Sequence, residues 1–123
     1  DMPRATKCRR VCAEPDYKLF KSEAAYGHKI ILCVEELESI RLIDFEGLEQ
    51  GEAAERMGIS RGTFQRILYE ARHKVAEALV TGASIVIEGG NYSVSSSACN
   101  TSKRCKCCRF HKERYKKEVM KSK

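Results

Sequence analysis

Polar side chains near the middle of the chain have the types and spacing needed to read DNA. On a helix predicted to begin at Arg61, the side chains facing away from the apolar side are Arg61, Thr63, Gln65 and Arg66. Arginine can bond guanine through two hydrogen bonds, glutamine can bond adenine in the same way, and threonine can contact a base edge or a thymine methyl. Gly62 would let the backbone approach a phosphate, which the partial positive charge at a helix N-terminus attracts. The sequence thus predicts a DNA-binding set of Ser60, Arg61, Gly62, Thr63, Gln65 and Arg66.

A tight junction precedes this helix. Gln50 to Met57 reads as a first helix, and Ala53 and Ala54 are small enough to let it lie close to the second. Gly58 suits a positive φ, and Ser60 can accept a hydrogen bond from an unpaired N–H of the next helix. Ile59 is predicted as a buried residue between them. This layout is typical of a helix-turn-helix, in which the second helix enters the major groove.

The second helix carries an apolar stripe at helical spacing. Its members are Phe64, Ile67, Leu68, Ala71, Val75, Ala78 and Leu79. Such spacing predicts an amphipathic helix that packs on a core. The alternative is an ordinary helical hairpin whose exposed side happens to be polar, but the alanines, glycine, cap and stripe all favour the helix-turn-helix.

The remaining elements indicate a mainly α fold with irregular arms. An earlier helix is predicted to begin after Cys33, with Glu36 completing a capping box, and to end at Gly47. Residues 83–88 read as a short strand, and Tyr17, Leu19 and Phe20 as apolar residues that pack on the domain. We therefore divide the chain into a basic, cysteine-containing N-terminal arm (residues 1–32), a helix-turn-helix domain (residues 33–92), and a Ser-rich linker with a basic, Cys-rich tail (residues 93–123).

Seven cysteines suggest a metal site or a redox function. An odd number without a secretory signal argues against a disulfide framework. Cys105 and Cys108 form a CxxC, and Cys8 and Cys12 lie in the opposite arm. The predicted metal ligands are therefore Cys8, Cys12, Cys105 and Cys108, which would suit zinc or an iron–sulfur cluster. Unligated thiols in the two arms are the alternative, and Cys33 is expected to be a small buried residue rather than a ligand.

The net charge of +6 is distributed unevenly. Residues 1–32 have a balance of +3, residues 33–80 of −4, and residues 99–123 of +8. Basic ends are typical of a salt-sensitive grip on a polyanion, although they can also serve only solubility. The acidic helical domain opposes DNA binding unless its carboxylates face away. No apolar run reaches membrane-spanning length and no signal peptide is visible, so we expect a cytoplasmic protein.

Several blocks, in order, resemble the UPF0251 (DUF134) proteins of bacteria and archaea. They are residues 2–4, 7–12, 34–42, 46–48, 52–61 and 87–92, together with Asp44, Thr63 and Phe64. That family is described as predicted DNA-binding, with a helical core similar to region 4 of sigma-70 factors. The resemblance implies a small prokaryotic DNA-binding regulator. Cys33 departs from the family pattern, where Thr or Ser is the expected cap, and for the residues from Ser93 onward the resemblance implies no role.

Taken together, these features predict a sequence-specific regulator that binds double-stranded DNA, functions as a homodimer and responds to metal or redox state through its cysteines. The alternative is a metal, iron–sulfur or redox protein whose helix-turn-helix contacts another protein. An enzyme is not expected, because no nucleophile–base pair, carboxylate pair or phosphate-binding loop is present. RNA binding by the basic tail is a further alternative, but the sequence lacks the aromatic platforms of common RNA-binding modules.

Overall fold

The computed structural model describes residues 8–24 and 27–94, which form three α-helices and two small sheets. The helices are α1 (Val34–Ile40), which continues into a π-helical turn at Arg41–Phe45, α2 (Gln50–Met57) and α3 (Arg61–Thr81). The strands are β1 (Arg9–Val11), β2 (Leu19–Phe20), β3 (Lys29–Leu32), β4 (Ser84–Ile87) and β5 (Tyr92–Val94). The fold is mixed α/β with helices predominant.

The prediction of irregular structure in the N-terminal arm, with a single strand elsewhere, is wrong for the described residues. β1 pairs in parallel with β5, aligning Arg9 with Tyr92. β4 is the central strand of the other sheet, antiparallel to β2 and parallel to β3. Strands of two to four residues are too short to show an alternating pattern, and their partners lie at the other end of the described chain. Neither sheet could therefore be predicted from the sequence alone.

The core lies between the helices and extends onto the strands. One cluster joins Leu42, Met57, Phe64 and Leu68 around Ala53 and Ala54, both almost completely buried. Their small size lets α2 approach α3 closely, as predicted. A second cluster packs Ala71 of α3 against Val11, Leu32, Val34 and Ile87. Both sheets therefore pack on the helices through a shared apolar core.

Two predictions about apolar residues are wrong. Leu79, assigned to the buried stripe of α3, is 77% exposed, and the neighbouring Val80 is 85% exposed. Leu19 and Phe20 are paired within a sheet, but more than half of each residue is exposed. Helical spacing alone cannot show where the core ends along a 21-residue helix, and here it ends at Ala78.

The capping box at the start of α1 is confirmed in part by its hydrogen bonds. The backbone N–H of Cys33 donates to Glu36 Oε1 at 2.9 Å. The same carboxyl oxygen accepts from Lys74 Nζ at 2.8 Å, which ties the start of α1 to α3. Burial lowers the pKa of Lys74, but the hydrogen bond and charge of Glu36 outweigh it, and the pKa lies above its ordinary value.

A second hydrogen bond to a carboxylate, which also raises the pKa of its donor, ties β5 to the N-terminal segment. The Tyr92 phenol donates to Glu14 Oε2 at 2.7 Å, and this bond raises the pKa of Tyr92. The folded state of both Lys74 and Tyr92 thus holds a proton more tightly than the unfolded state. The resulting stabilisation is fully present below the unfolded pKa values, about 10 to 10.5, and is lost as pH rises through the folded ones.

We accordingly expect the midpoint of urea unfolding to fall as pH rises from about 10 to about 12. Tyr92→Phe should remove the part of this dependence that comes from the phenol. Tyr69→Phe is the control, since the Tyr69 phenol forms no hydrogen bond within the described residues. Equal pH profiles for wild type and Tyr92→Phe would show that the Tyr92–Glu14 bond contributes nothing.

Candidate nucleic-acid interface

The junction between α2 and α3 has the geometry that its residues predict. Gly58 adopts a φ of +71°, and its N–H donates to Glu55 O at 3.0 Å. The Ile59 N–H reaches back to Ala54 O at 3.0 Å, so two carbonyls at the end of α2 are satisfied in a Schellman arrangement. Ser60 then caps α3, because its Oγ accepts from the Thr63 N–H at 3.1 Å. This junction therefore fixes the direction of α3 relative to α2.

The predicted DNA-binding residues are brought together on one exposed side of α3. Ser60, Arg61, Gly62, Gln65 and Arg66 are exposed, and Thr63 is half-buried beneath the Ser60 hydroxyl, which donates to Thr63 Oγ1. An open depression runs along this side and is lined by Gly62, Gln65, Arg66, Tyr69 and Glu70. Phe64 and Leu68 are buried on the opposite side of the same turns, which holds the exposed side away from the core.

The arginines of this surface differ from other arginines of the domain. Arg41 pairs with Glu38 and Glu46, and Arg72 pairs with Asp44 at 2.7 Å. Arg61 and Arg66, in contrast, form no ion pair or side-chain hydrogen bond with any described residue. Their charge and hydrogen-bond donors remain available to an external acceptor.

Gln50 is a residue of this surface that the sequence patterns did not single out. Its Oε1 accepts a hydrogen bond from Gln65 Nε2 at 2.8 Å, across the angle between α2 and α3. The bond uses one N–H of the Gln65 amide and leaves its second N–H and its carbonyl oxygen for another partner. Two glutamines at the starts of consecutive predicted helices were the available signal, but only the angle between the helices brings them into contact.

Arg10 has a different role from the phosphate contact that its basic arm suggested. Its guanidinium donates to Glu55 O at 3.0 Å and to Arg56 O at 3.2 Å, at the C-terminal end of α2. A Cβ on Gly58 would lie 3.1 Å from Arg10 Nη1, so the turn and this side chain are closely packed. Arg10 thereby fastens β1 to the turn that orients α3.

Four of the eleven acidic residues between positions 33 and 92 are buried. Glu35, Glu36, Glu38 and Glu46 are all at least nine-tenths buried. Arg41 joins Glu38 at 2.7 Å and Glu46 at 3.2 Å, and Lys74 pairs with Glu36. Glu49, Glu52 and Glu55 remain exposed near α2, although Glu52 pairs with Arg56 at 3.3 Å. Four carboxylates are thus kept from the exposed side of α3, whereas Glu70 lines the depression on that side.

The structure does not assemble the four predicted metal ligands within its described part. Cys8 is an exposed thiol, Cys12 is buried and disulfide-bonded, and Cys105 and Cys108 lie outside the described residues. Among residues 8–24 and 27–94, no three His, Cys, Asp or Glu side chains are grouped to hold a metal ion. Burial, together with the charges of Glu36 and Glu35, raises the pKa of the Cys33 thiol, which disfavours the thiolate needed for ligation.

No helix in the described part of the chain is both long enough and apolar enough to span a membrane.

Comparison with known proteins places the chain in a group of close relatives. A UPF0251 protein of Thermoanaerobacter pseudethanolicus is 55% identical over 96 residues, covering 76% of this chain and 81% of the relative. One from Ruminiclostridium cellulolyticum is 47% identical over 108 residues, covering 88% and 80%. One from Caldicellulosiruptor saccharolyticus is 54% identical over 91 residues, covering 74% of this chain and 66% of the relative.

No solved structure matches the chain significantly. The family model described as "Protein of unknown function DUF134" matches residues 2–95 and so covers the strands, the helices and the exposed side of α3. Together with relatives at about half identity, this match shows that the chain belongs to the UPF0251 (DUF134) family.

Proposed function

We propose that this protein is a sequence-specific DNA-binding protein, a prokaryotic transcriptional regulator whose α2 and α3 form a helix-turn-helix of the sigma-70 region 4 type. In this proposal the N-terminal half of α3 enters the major groove. Arg61 and Arg66 bond guanine edges or phosphates, Gln65 reads a base edge, and Gly62 lies near the backbone. The observation that carries the proposal is that Arg61 and Arg66 have no partner among the described residues and lie beside Gln65, which Gln50 of α2 orients.

Electrostatics and local geometry support the same proposal. The N-terminus of α3 directs backbone N–H groups and a partial positive charge toward the side that would meet phosphate. Three of the four buried carboxylates are paired with Arg41 or Lys74, which partly neutralises the negative charge of the domain.

The test is selection of bound sequences from random double-stranded DNA by the full chain, followed by titration at several salt concentrations. We expect one enriched motif and a binding constant that falls linearly with salt on logarithmic axes. Selection that enriches no motif, combined with equal affinity for unrelated duplexes, would contradict sequence-specific reading. Absence of binding at low salt would remove DNA as a partner altogether.

The Gln50–Gln65 bond yields a separate prediction. Gln50→Ala should release the Gln65 amide and reduce discrimination at one position of the selected motif by about 1 kcal/mol, roughly fivefold. A double-mutant cycle with Gln65→Ala should show that the two losses are not additive.

Gln50→Glu is the matched control for this cycle, since it keeps an acceptor for Gln65 and adds a negative charge. It should weaken binding to all sequences while leaving discrimination at that position unchanged. Additive losses in the cycle would show that Gln50 does not position Gln65.

A further inference from the structure

An apolar groove lies at the end of α3 opposite the proposed reading residues. Its volume is about 360 Å³, and its lining includes Phe20, Ala78, Leu79, Gly82, Ala83 and Ile85. Phe20 is 53% exposed and Leu79 77%. Val80, next along the helix, is 85% exposed and is the most exposed large apolar residue of the described chain. Leu79 lines the groove and Val80 follows it on α3, so the groove and the projecting side chain share this end of the helix, here called the α3-end surface.

We propose that the α3-end surface binds a second copy of this chain, forming a twofold-symmetric homodimer. In a twofold interface the same surface contacts itself, so it must present both a projection and a recess. Val80 is the projection, and the groove between Phe20 and Leu79 is the recess. In the dimer, Val80 of each copy inserts into the groove of the other.

The exposed apolar area is suited to the centre of such an interface. Phe20, Leu79 and Val80 are each more than half exposed, and exposed apolar side chains grouped on a monomer often mark an interaction site. A standard interface uses about 800 Å² per partner, with an apolar centre and a polar rim. The surface therefore supplies the centre, and the polar residues around it supply the rim.

Two side chains of opposite charge near the groove are complementary under the same symmetry. Lys21 lines the groove, and Glu77 lies on α3 one turn before Val80. Neither side chain forms an ion pair with any residue in the described part of the chain. Insertion of Val80 into the opposite groove brings Glu77 of one copy to Lys21 of the other, and symmetry makes two such pairs.

Sedimentation equilibrium of the full chain, without DNA, tests the interface. Wild type should dimerise, and Val80→Glu and Leu79→Glu should each weaken the dimer at least about tenfold. Tyr69→Lys is the matched control, because it introduces a charge at another exposed apolar residue of α3 and should leave the dimer unchanged. Unfolding temperatures should stay close to wild type, since all three residues are exposed.

Charge exchange provides a second test that does not depend on the apolar variants. Lys21→Glu and Glu77→Lys should each weaken the dimer a few-fold, and the double exchange should restore it. A wild type that stays monomeric up to about 100 µM would overturn the proposal and leave the groove to another partner. A dimer that survives both Val80→Glu and Leu79→Glu would place the interface elsewhere.

The dimer also constrains the DNA site, and this consequence rests on the proposed function. Between Arg61 and Val80, α3 extends about 29 Å, and packed helices lie about 8–10 Å apart, so two helices joined near their C-terminal ends can separate their reading residues by at most about 68 Å. That allows half-sites one or two helical turns of about 34 Å apart, but not three turns apart. Half-sites three turns apart would contradict this interface while leaving DNA binding intact.

Discussion

Alanine at Arg61 or at Arg66 is expected to weaken binding to the selected DNA motif by about 1–3 kcal/mol, roughly 5- to 150-fold. Binding to unrelated DNA should fall less, and preference should relax at particular positions of the motif. The physical reason is that both guanidinium groups are exposed and have no partner among the described residues. Neither substitution therefore removes a side-chain bond to a described residue, and both variants should fold normally.

Arg72→Ala is the matched control for these variants. It removes the same charge from the same helix, but its guanidinium is held by Asp44 at 2.7 Å and 3.2 Å, away from the reading residues. The variants should be compared by competition titration against the selected motif and a scrambled duplex. If all three arginines gave the same uniform loss, they would contribute only general electrostatic attraction, and the reading helix would be misassigned.

The largest effect on stability is expected at Arg41. Arg41→Met should lower the free energy of unfolding by about 3–5 kcal/mol, because Glu38 and Glu46 would lose a buried counter-charge. Arg41 Nε and Nη2 donate to both oxygens of Glu38 at 2.9 Å and 2.7 Å, and Nη1 donates to Glu46 at 3.2 Å. Arg41→Lys should lose less stability than Arg41→Met, because it keeps the positive charge. It should still be less stable than wild type, because lysine cannot reproduce this forked geometry.

Asp44→Ala is the comparison for Arg41, because it removes an exposed ion pair of similar length and should cost less than about 1 kcal/mol. Urea unfolding at neutral pH measures the free energy of unfolding of both variants. Losses of equal size would mean that burial adds nothing to the Arg41 pairs. Glu38 also accepts from the Cys12 N–H at 3.1 Å, so the Arg41 variant should loosen β1 and, through Arg10, the end of α2.

The junction between α2 and α3 could be predicted because its causes are local. A glycine at positive φ, a serine cap and two small residues act within a few positions of one another, and each behaves as its chemistry requires. The exposure of Arg61, Gln65 and Arg66 follows from the burial of Phe64 and Leu68 on the same helix. Residue types and spacing were therefore enough to predict these parts of the candidate interface.

Other features depended on contacts between distant segments. β1 pairs with β5, and β4 pairs with both β2 and β3. No local pattern predicts a strand of two to four residues. Nor could the sequence show that Arg10 caps α2 or that Gln50 orients Gln65, since both bonds cross between elements whose relative placement is set by the core.

For this protein, then, the residues alone predicted the turn, the cap and the polar side of α3, because helix periodicity and backbone preference act over a few residues. The tertiary structure decided which charged side chains are available to an external partner and which are buried or held in internal bonds. It buried Glu35, Glu36, Glu38 and Glu46, engaged Arg10 and Arg41, left Arg61 and Arg66 without partners in the described chain, and exposed Leu79. Desolvation and pairing depend on which segments meet, and in this fold the segments that meet are far apart in the chain.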